Sequence, residues 1–192
     1  LDAVSEVPRY YVCNAYGVCG IYNAPGTAVK EAYDTSGIVT NDRGVTVWLK
    51  GNRVSRNQIM AIKEESVTEQ KNSLAVCLDN ILRHAGITRN TEYDLAQGKT
   101  ATTILSENMT GVQVLDLSGC TLDAVLYYVN QDIPVLAILD DGEAVLVTGF
   151  NEFNVVIMEP ATGKLYKKGM NDATAWFAEN GNHFITYMRT EN

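Results

Sequence analysis

Six side chains hold most of this chain's capacity for nucleophilic or metal chemistry. They are four cysteines, Cys13, Cys19, Cys77 and Cys120, and two histidines, His84 and His183. Zinc sites use closely spaced Cys and His ligands, and no Cys-x-x-Cys occurs. Nucleophilic catalysis near neutral pH needs a placed base, for which imidazole is the usual choice. His84 falls near a helix C-terminus, where it can interact with the helix dipole. His183 follows Gly181-Asn182 at the start of a strand and reads as a surface or capping residue. Cys77 and Cys120 lie in apolar settings and read as core. Cys13 and Cys19 flank Asn14-Ala15-Tyr16-Gly17. A hairpin there would let them face each other across the strands; two small half-buried side chains are the alternative reading. Gly17, Gly20 and Gly26 do not form a dinucleotide fingerprint, and Asp140-Asp141 lacks the spacing of a calcium loop. The chain is expected to need no cofactor.

The elements that must position these residues follow from periodicity. Residues 10–22 read as a strand pair or one long bent strand. Pro25 opens a helix with Ala28, Val29, Ala32 and Tyr33 on one face, ending before Gly37. Short strands follow at 38–40 and 45–49. Residues 1–57 are therefore expected to form a small strand–helix–strand module of βαβ type. Ser66 followed by Glu69 has the pattern of a capping box. Leu74, Cys77, Leu78, Ile81, Leu82 and Ala85 then recur at helical spacing up to Gly86. Two short helices are expected near 91–96 and 100–107, an extended run at 112–117, and a helix at 121–130, where Tyr127 and Tyr128 read as core. Residues 134–139, 144–150 and 154–158 are apolar runs joined by short turns, which predicts antiparallel strands buried on both faces. Asp172 is expected to cap a helix through Trp176 and Phe177, and 184–188 to form a last strand. Helices first and a sheet afterwards predict an α+β fold for residues 58–192.

Composition sets outer limits. Fifteen basic against 23 acidic residues give a net charge of −8, and 46% of residues are hydrophobic. That is ordinary for a globular protein. The acidic balance argues against nucleic-acid binding and against docking on anionic lipid. No run approaches the ~20 apolar residues of a membrane-spanning helix, and the first residues lack the pattern of a targeting signal.

Three segments carry a resemblance. Ser73-Leu74-Ala75-Val76-Cys77-Leu78 opens a helix that stops at Gly86. Gly142-Glu143-Ala144-Val145-Leu146-Val147-Thr148-Gly149-Phe150 forms a strand. Glu159-Pro160-Ala161-Thr162-Gly163 forms a turn, and Glu159 stands 16 residues after Glu143. This order resembles the papain-like cysteine peptidases, nearest to the bacterial group that trims double-glycine leader peptides. The resemblance covers roughly residues 58–192. It implies a papain-like domain, helices packed on an antiparallel sheet, with the small module in front.

The same resemblance locates the site and exposes its departures. Ser73 stands where the family carries its nucleophilic Cys, Glu143 where it carries the base His, and Glu159 where it carries the orienting Asp. Gln70, three residues before Ser73, is the candidate for the oxyanion-hole Gln, at a closer spacing than the family uses. The family's thiolate is stabilised by an imidazolium and by a helix N-terminus. A serine hydroxyl needs a strong, placed base, and a carboxylate is a poor one near neutral pH. The expectation is a non-catalytic papain-like domain that binds a peptide or protein partner, in a bacterial extracytoplasmic or surface protein. Two active alternatives remain: a hydrolase using Ser73 with Glu143 and Glu159 in acid, or one using Cys77 with His183.

Overall fold

The computed structural model describes residues 7–50 and 72–190. Among the described residues are two antiparallel sheets and six helices. The N-terminal sheet is built from β1 (Tyr10–Cys13), β2 (Cys19–Tyr22), β3 (Ile38–Thr40) and β4 (Thr46–Leu49), in the order β2-β1-β3-β4. Helix α1 (Pro25–Thr35) links β2 to β3 and begins on Pro25, whose missing N–H costs nothing in the first turn. The expected strand–helix–strand order is present, but every pairing is antiparallel, so the unit is not a parallel βαβ crossover. Residues 10–22 form a hairpin rather than one bent strand. Cys13 and Cys19 are register partners in it and are joined by a disulfide.

The second sheet has six strands in the order β5-β10-β6-β7-β8-β9. They are β5 (Val112–Asp116), β6 (Val135–Ile138), β7 (Ala144–Phe150), β8 (Asn154–Glu159), β9 (Lys164–Gly169) and β10 (His183–Arg189). The helices are α2 (Ser73–His84), α3 (Glu92–Ala96), α4 (Ala101–Asn108), α5 (Leu122–Val129) and α6 (Met170–Glu179). All seven residues of β7 are buried. Successive strand side chains point to opposite faces, so both faces of β7 are covered. Helices α2 and α5 both pack against it. Hairpin β6–β7 turns through Asp140-Asp141-Gly142, with Gly142 in the left-handed region at φ 84°. The Gly142 N–H donates to the Leu139 carbonyl, and the Asp141 carboxylate accepts from the Glu143 N–H at 2.9 Å.

Three local expectations are refined. The cap of α2 is Asn72, whose Oδ1 accepts from the N–H groups of Leu74 and Ala75 at 2.9 and 3.4 Å. The Ser66–Glu69 capping box lies outside the described residues. Gly169, not Asp172, is the N-cap of α6; Asp172 sits in the first turn, where its charge favours the helix dipole. Strand β9 has no counterpart in the sequence reading. Its residues, Lys-Leu-Tyr-Lys-Lys-Gly, form a largely solvent-facing edge with no apolar alternation.

The two sheets share one hydrophobic core. The Trp48 indole N–H donates to the Ala124 carbonyl at 2.9 Å, and the Tyr128 hydroxyl donates to the Val47 carbonyl at 2.8 Å. The Tyr33 hydroxyl donates to the Asp123 carboxylate at 2.8 Å. At the start of α1, a Cβ added to Gly26 would lie 2.8 Å from the Ser118 carbonyl oxygen, so glycine is what permits this close approach. The buried Cys120 thiol donates to the Gly26 carbonyl across the same seam. Residues 7–49 thus complete the core of the larger sheet. Thermal or urea unfolding is expected to show one cooperative transition, and Trp48→Ala to lower its stability by about 3–5 kcal/mol. Two transitions in the parent protein, one of them unmoved by Trp48→Ala, would contradict a shared core.

Candidate functional site

One end of the larger sheet gathers most of the residues singled out by sequence. Strand β7 begins there at Ala144, β8 ends there at Glu159, and β10 begins there at His183. Helix α2 starts at the same place. Ser73 is its first residue, and the Ser73 Oγ accepts a hydrogen bond from the Ala144 N–H at 2.9 Å. Ala144 directly follows Glu143, so Ser73 and Glu143 are neighbours although 70 positions separate them in the chain. The register of β7 with β8 pairs Leu146 with Met158. Continued by one step, it sets Glu159 opposite Val145, two residues past Glu143 and on the adjacent strand.

The structure therefore brings the three positions to one edge but does not wire them as a relay. Among the described residues, no hydrogen bond links the Ser73 hydroxyl to the carboxylate of Glu143 or Glu159. Both glutamates are exposed. Gln70 lies outside the described residues. The helix N-terminus is also occupied locally. The N–H groups of Leu74 and Ala75, which could favour an anion at Ser73, are taken by the Asn72 side chain.

Neither histidine hydrogen-bonds to Ser73 among the described residues. His84 ends α2, about 16 Å along the helix from Ser73. Its Nε2 lies 3.0 Å from the Asp132 carbonyl oxygen and 3.5 Å from the Asp132 carboxylate. His183 pairs with Ile138 on β6, and Ile138 pairs on its other side with Ala144. Two strand spacings, about 10 Å, thus separate the backbones of His183 and Ala144. No hydrogen bond joins His183 to Ser73 or to Cys77 among the described residues. Cys77 lies one turn into α2 with no exposed surface. Burial pushes its thiol well above the ordinary range, which disfavours the thiolate a nucleophile needs. Burial likewise raises Cys120, to about 12. Tyr128 is buried as expected, while Tyr127 is partly buried and stacks edge-on against it.

Among the described residues, no group of three or more His, Cys, Asp or Glu is placed to hold a metal ion. No helix there is long and apolar enough to cross a membrane.

No protein-family model matches the chain, and no curated protein matches it. A solved structure does. The chain is similar to a crystal structure described as a putative C39-like peptidase from Bacillus anthracis, with a TM-score of 0.58 and 12% sequence identity. The match covers 71% of this chain and 100% of that one. At that identity the likeness speaks for the fold. The fold is α+β and papain-like, as the order of the three segments implies.

The two buried thiols provide a check on the site. Folded protein at pH 8 is expected to resist iodoacetamide at both Cys77 and Cys120, with rapid labelling of both in denaturant. Labelling of native Cys77 at the rate of a free thiol would restore it as a candidate nucleophile.

Proposed function

We propose that this chain is a non-catalytic papain-like domain with a binding or scaffolding role. The observation that carries the reading is the Ser73–Ala144 hydrogen bond. It supports the match of Ser73 and Glu143 to the family's nucleophile and base positions, because it sets the head of the helix against the start of the strand that would bear the imidazole. On this reading, the exchange of both reactive groups at retained positions is a loss of chemistry. Glu143 is an exposed carboxylate on a hairpin, and it is a weak base for a serine hydroxyl near neutral pH.

A papain-like frame without its reaction still offers a surface for extended peptide, through main-chain pairing and side-chain pockets. A peptide or protein is therefore the proposed partner class. The proposed setting is extracytoplasmic, at a bacterial surface. The Cys13–Cys19 disulfide supports this, because Cys19 is exposed and such a bond persists in oxidising compartments.

The test is hydrolysis of general peptide and cell-wall amide substrates between pH 3 and pH 8. The expected outcome is no turnover above buffer at any pH, for the parent protein and for Ser73→Ala alike. Turnover in acid that disappears in both Ser73→Ala and Glu143→Gln would replace this reading with a serine–carboxylate hydrolase.

A further inference from the structure

At the far end of β10 from His183, a cleft of about 470 Å³ opens between the N-terminal sheet and the start of β5. Its volume is in the range of small-molecule sites. Its lining includes Arg9, Tyr10, Asn41, Asp42, Arg43 and Gln113. Neither guanidinium has an ion pair or a hydrogen bond among the described residues.

A directed chain of hydrogen bonds ends in this cleft. The Asn41 Oδ1 accepts from the backbone N–H groups of Arg43 and Val45, each at 3.0 Å. Those two donors fix the Asn41 amide, so its NH₂ faces Gln113 and donates to Oε1 at 3.3 Å. That in turn fixes Gln113, whose NH₂ donates to the Tyr10 hydroxyl oxygen at 2.7 Å. The Tyr10 hydroxyl is thus an acceptor toward the protein, and its own proton is left to donate elsewhere. No acceptor for it exists among the described residues, although Tyr10 is only 3% exposed. That hydroxyl lines the cleft, so its proton can be donated into it, and the exposed side chains of Arg9 and Arg43 line the same cleft. All three can donate to one anionic oxygen group. Asp42, in the same lining, places one carboxylate nearby. It opposes a multiply charged anion and suits a ligand that also bears an ammonium group.

We propose that this cleft is a binding site for a small zwitterion, a free amino acid or a dipeptide. Arg9, Arg43 and the Tyr10 hydroxyl hold its carboxylate, and Asp42 holds its ammonium. The site is separate from Ser73 and does not depend on the proposed loss of catalysis.

The test is an amide-resolved NMR titration of the full chain with glycylglycine, with N-acetylglycylglycine and glycylglycinamide as controls. Glycylglycine is expected to give saturable shifts centred on residues 9–10, 41–43 and 113. Glycylglycinamide, lacking the carboxylate, is expected to give none, and the acetylated dipeptide to bind more weakly. Arg9→Gln and Arg43→Gln, both at exposed positions, are each expected to weaken binding about ten-fold, the loss of one charge-assisted hydrogen bond. Tyr10→Phe, which keeps the ring, is expected to weaken it a few-fold. Absence of saturable shifts with glycylglycine, or equal shifts with its amide, overturns the proposal. Equal affinity for the acetylated dipeptide overturns the role given to Asp42.

Discussion

Strand β7 has no polar side, and the architecture follows from that. Each of its seven residues is buried, so its two faces need cover and its two edges need partners. The edges are met by β6 and β8, and α2 and α5 lie against it. Burying such a strand contributes of order 10 kcal/mol before entropy is counted, at about 1.5–3 kcal/mol per large apolar side chain. Once α2 is fixed on β7, its first residue falls at the strand's first residue. The Ser73–Ala144 hydrogen bond is the polar consequence of an apolar docking.

On the proposed reading, that ordering lets a papain-like frame outlast the family's chemistry. Helix α2 and strand β7 belong to one core, which includes Leu78, Ile81 and Leu82 of the helix and Val145, Leu146 and Val147 of the strand. None of these interactions needs a thiol or an imidazole. On that reading, exchanging the two reactive groups leaves the core intact. Asn72 then caps the helix with its own side chain, so the amides that could stabilise an anion are satisfied without one. The N-terminal sheet is held in the same way. Trp48 and Tyr128 each bury an apolar ring and direct one polar atom at a backbone carbonyl of the other unit.

Much of this was legible in the sequence, for physical reasons. β7 is readable because a largely apolar run flanked by Asp140-Asp141-Gly142 and a polar turn has few other solutions. The start of α1 is readable because a helix tolerates Pro25 only in its first turn. That Ser73 lies beside the residue after Glu143 was expected only through the resemblance of three segments to a known family. What escaped was non-local or unpatterned. β9 carries lysines on an exposed edge, where alternation is not enforced. The Cys13–Cys19 pairing depends on the exact hairpin register, which the turn alone left open. The seam that Gly26 makes against the Ser118 carbonyl joins positions far apart in sequence, and only the tertiary structure reveals it.

The central claim is that the frame is intact and only the reactive groups are gone. The most direct measurement is the pH dependence of iodoacetamide alkylation in a protein carrying Ser73→Cys together with Glu143→His, compared with Ser73→Cys alone. With Cys77 and Cys120 buried, the introduced thiol reports alone. The account predicts that the double exchange forms a thiolate–imidazolium pair. Alkylation would then persist well below the ordinary thiol range, at pH values where Ser73→Cys alone reacts slowly. Identical alkylation profiles for the two proteins would contradict it, because residues 73 and 143 would then not stand in the relation that the papain-like frame requires.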